Sequence, residues 1–122
     1  MRINREYTTR TYTIASGAAL TDEIDARYMA GAIVIIPAAW TAANLGIKVS
    51  PTSGGTFVIL NDYLGAPVQV SGITTDASKA YALPDEIYAT GFVKLWSKSA
   101  TAATITDVNQ AAARSIIVVL KG

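Results

Sequence analysis

The stretch from Gly31 to Val70 constrains the fold more than any other part of the chain. Ala32–Ile36 (AIVII) is apolar without alternation and is bounded by Gly31 and Pro37, which predicts a strand buried on both faces. Trp40 follows among small residues, in a short helical turn or a loop, and reads as a plug for one end of the core. Ile47-Lys48-Val49-Ser50 alternates apolar and polar, and Pro51 ends it. Ser53-Gly54-Gly55 is a turn signal, because glycine accepts the positive φ that a tight hairpin needs. Phe57–Leu60 returns as a strand, Asn61-Asp62 and Gly65 make the next turn, and Pro67–Val70 starts a short strand with proline at its first position. A hairpin with flanking strands of this kind belongs to an all-β domain.

The rest of the chain continues the pattern. Tyr7–Ala15 is rich in Tyr, Thr and Ile, with Tyr12 and Ile14 on one face and Thr11 and Thr13 on the other. Leu20–Tyr28 is ambiguous: Thr21 before Asp22 and Glu23 resembles a helix start, while a strand over Glu23–Arg27 suits a sandwich better. Ser71–Ser78 reads as a loop and Lys79–Leu83 as a weakly alternating strand. Pro84–Tyr88 has the proline and acids that favour one helical turn, near 84–89. In Phe92–Ser97, Phe92, Lys94 and Trp96 share one face while Val93, Leu95 and Ser97 share the other. Ser99–Ala113 is polar and small, with a weak strand around Thr104–Val108, and Ser115–Leu120 (SIIVVL) reads as a buried strand. Strands at this spacing indicate a sandwich or barrel, and the expectation is a single antiparallel β-sandwich, jelly-roll-like, of about eight short strands. It occupies residues 11–122, carries an inserted loop at 99–113, and follows a basic arm at 1–10.

The 122 residues suit one domain, and with 51% of them hydrophobic a core forms without staples. There is no cysteine, so disulfides are excluded and the compartment stays open. There is no histidine, which removes the commonest general base and the commonest transition-metal ligand. Serines lack a histidine partner, no G-x-S-x-G occurs, and no phosphate-cradling glycine loop opens a helix. The acids Asp22, Glu23 and Asp25, and Asp85 with Glu86, are neighbours in sequence, which does not set two carboxyls across a cleft as a glycosidase requires. Asn61-Asp62 and Asp107 with Asn109 lack EF-hand spacing. The expectation is a protein that is not an enzyme and holds no cofactor or metal. Two tryptophans and six tyrosines could build a sugar-stacking platform, but aromatics in a sandwich are more often core.

The net charge is only +1, yet Arg2, Arg5 and Arg10 gather at the start against Glu6. That arm can dock on an acidic protein surface or be a solvated terminus. With no basic run and no interleaved aromatics it predicts no nucleic-acid partner. No apolar run approaches the roughly 18–20 residues of a membrane span, so no membrane partner is expected. The first residues lack the apolar segment of a secretory signal.

Several motifs stand in a fixed order. The first are a Thr-rich strand ending in an Ile-Ala-Ser-Gly turn, Tyr12–Gly17, and an acidic segment leading to a Gly-Ala-apolar strand that ends in proline, Asp22–Pro37. Trp40–Ser50, Gly54–Val58, Asp62–Gly65 and Ala82–Ser97 follow, before a C-terminal strand. These turn and core positions cover most of the chain, and their order resembles that of small β-sandwich structural proteins of tailed bacteriophages, of the decoration (cement) or head-fibre-associated kind. The insertion Ser99–Ala113 departs from the family pattern, in which the last two strands are almost directly joined.

The resemblance implies a virion component made in the host cytoplasm and carried on the capsid surface. It would bind the major capsid protein or other virion proteins as a homo-oligomer, a trimer being one arrangement. The arm and the insertion then supply the partner contacts: Arg2, Arg5, Arg10, Thr101, Thr104, Asp107 and Asn109. The alternative is a carbohydrate-binding jelly-roll module of a phage fibre or tail, which calls for an exposed Trp40 or Trp96. A secreted adhesin fragment is a third reading, weakened by the missing signal segment.

Overall fold

A computed structural model describes residues 7–73, 78–99 and 105–122. Nine strands occur among the described residues: β1 (Tyr7–Ile14), β2 (Ile24–Asp25), β3 (Gly31–Ile35), β4 (Asn44–Ser50), β5 (Val58–Ile59), β6 (Gln69–Val70), β7 (Ala80–Ala82), β8 (Phe92–Lys98) and β9 (Arg114–Lys121). One 3₁₀ turn, Asp85–Ala89, lies between β7 and β8, with Pro84 extended at its N-cap and Asp85 and Glu86 in its first turn. The ambiguous segment at 20–28 resolves as strand, since Ile24 and Asp25 pair with Val93 and Phe92.

Every pairing between these strands is antiparallel. One sheet has the order β1-β9-β3-β7; the other runs β2-β8-β4-β5, with β6 also on β4. Except along β4, β5 and β6, successive strands cross from one sheet to the other. That alternation is the jelly-roll arrangement expected from the sequence. The turns behave as read: Asp62 Oδ1 accepts from the amides of Leu64 (2.9 Å) and Ala66 (3.0 Å). Gly54 and Gly65 take φ of +70° and +82°, the left-handed region open to glycine.

The core lies between the sheets. β4 contributes Leu45 and Ile47, β8 Val93 and Leu95, and β9 Ile116, Val118 and Leu120, all buried, and Trp40 closes one end at 1% exposure. The period-2 reading of Phe92–Ser97 holds, because Val93, Leu95 and Ser97 stand opposite Val49, Ile47 and Leu45.

Two expectations need correction. Ala32–Ile36 is not buried on both faces: Val34 and Ile36 are buried, but Ile33 is 39% exposed and Ile35 36%. Likewise Ser115–Leu120 buries one face only, and Ile117 is 36% exposed. Both strands sit centrally in the four-stranded sheet, whose outer side has no covering layer among the described residues. An unbroken apolar run does not itself disclose whether a second layer exists.

Candidate functional site

The two outer faces of the sandwich differ in chemistry. Directly opposed residues of antiparallel strands share a face. The pairings place Thr9, Val119, Ile33 and Ala82 in one cross-strand row. Thr11, Ile117, Ile35 and Ala80 form the next. Both rows span all four strands of the β1-β9-β3-β7 sheet without a charge, and the aliphatic centre is bordered by threonine on β1 and alanine on β7. Of these, Ile33, Ile35 and Ile117 are 36–39% exposed.

The outer side of the other sheet is covered by its own cations. Arg27 lies over Phe92 (5.0 Å) and Tyr28 (5.6 Å), Lys94 over Phe57 (4.8 Å) and Lys48 over Trp96 (4.5 Å). These contacts satisfy cations and rings together. Gly46 makes the packing possible, since a Cβ there would lie 2.7 Å from Lys98 Cδ and 2.8 Å from Trp96 Cε3. Lys98 is buried, donates to the Ser99 carbonyl at 3.3 Å, and is held below the usual lysine range by desolvation.

A cleft of about 600 Å³ opens where β1, at the edge of one sheet, faces β2, at the edge of the other. Thr8, Arg10 and Tyr12 share the inward side of β1 with buried Ile14. Glu23 and Asp25 stand opposite, and Met29 and Leu120 contribute apolar lining. Both carboxylates are engaged. Arg27 donates twice to Asp25, through Nε (3.0 Å) and Nη2 (2.8 Å). The Arg27 side chain holds the Asp25 carboxyl below its ordinary range. Glu23 accepts from Ser53 Oγ (2.7 Å) and from the Gly54 amide (2.8 Å), which tie the β4–β5 turn to β2. The Ser53 hydroxyl bond, then the Gly54 amide bond, lower the Glu23 pKa. Burial raises the Tyr12 pKa, against a smaller opposing effect of Arg10. The Arg10 side chain makes no hydrogen bond or ion pair with a described residue.

The Glu23 clamp has a pH dependence of definite sign. Its native pKa is depressed from the ordinary 4.5, so the tie is fully present above that value and is lost as pH falls through the lower native pKa. The Gly54 amide resonance is expected to report a midpoint below 4.5, and Glu23→Gln to remove that titration. A midpoint at or above the ordinary value contradicts the clamp.

Of the seven sequence-derived contact residues, Arg10, Asp107 and Asn109 fall among the described residues. Arg2, Arg5, Thr101 and Thr104 lie outside the described residues. Arg10 is in β1 opposite Val118 and borders the cleft, so Tyr7–Arg10, assigned to an arm by its charge, forms half of a strand. Asp107 pairs in an isolated bridge with Lys98, and its carboxylate accepts from Trp96 Nε1 at 2.6 Å. Asn109 is exposed. The neighbour that sequence reading missed is Gln110, fully buried at 0% exposure. Its Oε1 accepts from the Thr41 amide (2.9 Å) and Arg114 Nε (3.3 Å); its Nε2 donates to the Thr41 carbonyl (3.1 Å) and Ser97 Oγ (2.9 Å). A lone glutamine in a polar stretch carries no pattern that announces burial.

Among the described residues no group of three or more acids is placed to hold a metal ion. Trp40 and Trp96 are 1% and 3% exposed, so neither ring is open to a sugar. No helix among the described residues is long and apolar enough to cross a membrane. The fold and these surfaces define a jelly-roll sandwich with two uncharged rows on one outer face and one edge cleft. Comparison with protein-family models, curated proteins and solved structures returned no match for the chain.

Proposed function

We propose that the chain is a non-catalytic structural protein of a tailed-phage virion, a decoration protein that docks on the shell formed by the major capsid protein. The observation that carries this reading is the pair of uncharged rows centred on Ile33, Ile35, Ile117 and Val119. Uncharged aliphatic rows suit lateral docking on a protein lattice, where charged side chains would be desolvated at a cost. The motif resemblance set out above supplies the particle, and assembly from the host cytoplasm as a homo-oligomer belongs to the same proposal. The glycan-binding alternative loses its motivating feature, because both tryptophan rings are buried.

The test is the protein composition of purified particles. A copy number near that of the major capsid protein is the expected result; a handful of copies places the protein in a fibre or tail, and absence overturns the reading. Ile117→Lys is expected to lower particle occupancy while moving stability by no more than about 0.5–1 kcal/mol, because Ile117 points outward. Unchanged occupancy in that variant would exclude the face as the docking surface.

A further inference from the structure

The edges of the two sheets are unequal. β2, β5 and β6 are two residues long, and β7, at one edge of the four-stranded sheet, has three. Edges this short offer little to an added strand. β1, at the other edge, has eight residues, contains no proline or glycine, and pairs with β9 in unbroken register from Tyr7↔Lys121 to Ile14↔Arg114. Strand edges of this length are normally blunted by proline, bulges or several charges; β1 carries Arg10 alone.

In an antiparallel ladder alternate residues turn their N–H and C=O groups away from the partner, so roughly four residues of β1 present a free donor and acceptor. No backbone group of Tyr7–Ile14 is bonded outside the β9 ladder among the described residues. The 600 Å³ cleft lies beside this edge, on the inward side of the strand. An added strand would therefore send every second side chain toward it, past Arg10 and Tyr12.

We propose that the β1 edge is a β-augmentation site: it takes an extended segment of a partner protein as a tenth strand, with alternate side chains of that segment seated in the Tyr12–Met29 cleft. Main-chain bonds to β1 supply affinity and the cleft supplies selectivity. The charge pattern selects the occupant. Glu23 and Asp25 are already engaged by Ser53, Gly54 and Arg27, whereas the Arg10 guanidinium has no hydrogen-bond or ion-pair partner among the described residues. The segment carries a carboxylate opposite Arg10 and an apolar residue two positions along, on the same face, over Tyr12. A second copy of β1 is the poorer occupant, since it offers Arg10 no carboxylate: the midpoint of Tyr7–Ile14 falls between Arg10 and Thr11, and the two registers nearest it set Arg10 against its own copy, where like charges are unfavourable, or against Tyr12. This strand partner is independent of whether the chain sits on a capsid.

The probe is the synthetic peptide acetyl-Thr-Val-Thr-Asp-Thr-Val-Thr-amide, added to the full chain and followed by amide hydrogen exchange and NMR titration. Exchange is expected to slow at alternate residues of Tyr7–Ile14, leaving Ala80–Ala82 unchanged. Arg10→Glu is expected to weaken binding by about tenfold, and replacing the peptide's Asp by Lys to restore it on that variant. Thermal unfolding of Arg10→Glu confirms that the exposed site still folds. Three results overturn the proposal: no protection of β1 at saturating peptide, binding indifferent to the charge exchange, or a peptide-free dimer in sedimentation with β1 already protected.

Discussion

Gln110→Ala is expected to lower stability by about 3 kcal/mol or more. The side chain is wholly buried and serves both edges of a seam: its oxygen takes the Thr41 amide and its nitrogen reaches the Thr41 carbonyl and Ser97 Oγ. Alanine leaves these groups without their partner, and each orphaned buried polar group costs about 1–3 kcal/mol. The backbone at Gln110 is tied as well, donating to the Ala18 carbonyl at 2.9 Å and accepting from the Gly17 amide at 2.8 Å. The loss should therefore spread to the turn after β1. Urea unfolding of Gln110→Ala beside Gln110→Met separates the causes. Methionine refills the volume without the bonds, so comparable losses assign the cost to hydrogen bonding. A loss below about 1 kcal/mol in the alanine variant would show that the 105–113 segment contributes little to the fold.

Trp40→Ala is the second large effect, at about 3–5 kcal/mol, the range for truncating a fully buried tryptophan. The ring closes the end of the core, and its Nε1–H donates to the Ala43 carbonyl at 3.2 Å. Trp40→Phe keeps an aromatic ring and loses that bond, so it should cost substantially less. Domains of ordinary stability hold about 5–15 kcal/mol in total, so the alanine variant is expected to unfold at markedly lower denaturant. A Trp40→Ala midpoint within experimental error of the parent would contradict the plug. Trp96 remains in both variants with its indole on Asp107, and supplies a fluorescence signal for the measurement.

The two variants probe different kinds of information. Trp40 was legible as a core plug because a large aromatic set among alanines beside Pro37 has few other uses. Gln110 was not legible. Nothing local separates it from Asn109, which is exposed, and only the return of residues 105–113 against Ser97 and Thr41 buries one and leaves the other in solvent. The insertion, read as a loop carrying partner contacts, has its described part bound into the sandwich: the Val108 amide donates to the Ser97 carbonyl at 2.9 Å. The weak strand expected near Thr104–Val108 amounts, among the described residues, to the Asp107–Lys98 bridge.

The same division runs through the surfaces. Alternation in Phe92–Ser97 divided β8 into its two faces correctly, and the pairing of Val93, Leu95 and Ser97 with Val49, Ile47 and Leu45 shows which of them shares a row with the core of β4. AIVII and SIIVVL lack that alternation, and both faces looked equally suited to burial. Which face meets water depended on the order β1-β9-β3-β7 and on whether a further layer covered it. The cleft was hidden for a related reason. Arg10 and Tyr12 belong to β1 and Glu23 to the approach to β2, and they meet only because those strands fall on facing edges of different sheets.

What the sequence determined by itself is local: the hairpin now seen as β4 and β5, the turns at Gly54 and Asp62, the helical turn after Pro84, and the all-β class that strands at this spacing indicate. These follow from steric limits at glycine and proline and from the two-residue period of a strand. What only the tertiary structure decided is relational: the outer face of Ile33 and Ile117, bare among the described residues, the burial of Gln110, and the long edge of β1 beside its cleft, which no described strand covers. Burial and edge exposure depend on which segments, distant in sequence, become neighbours, and the chemistry of any single segment does not contain that choice.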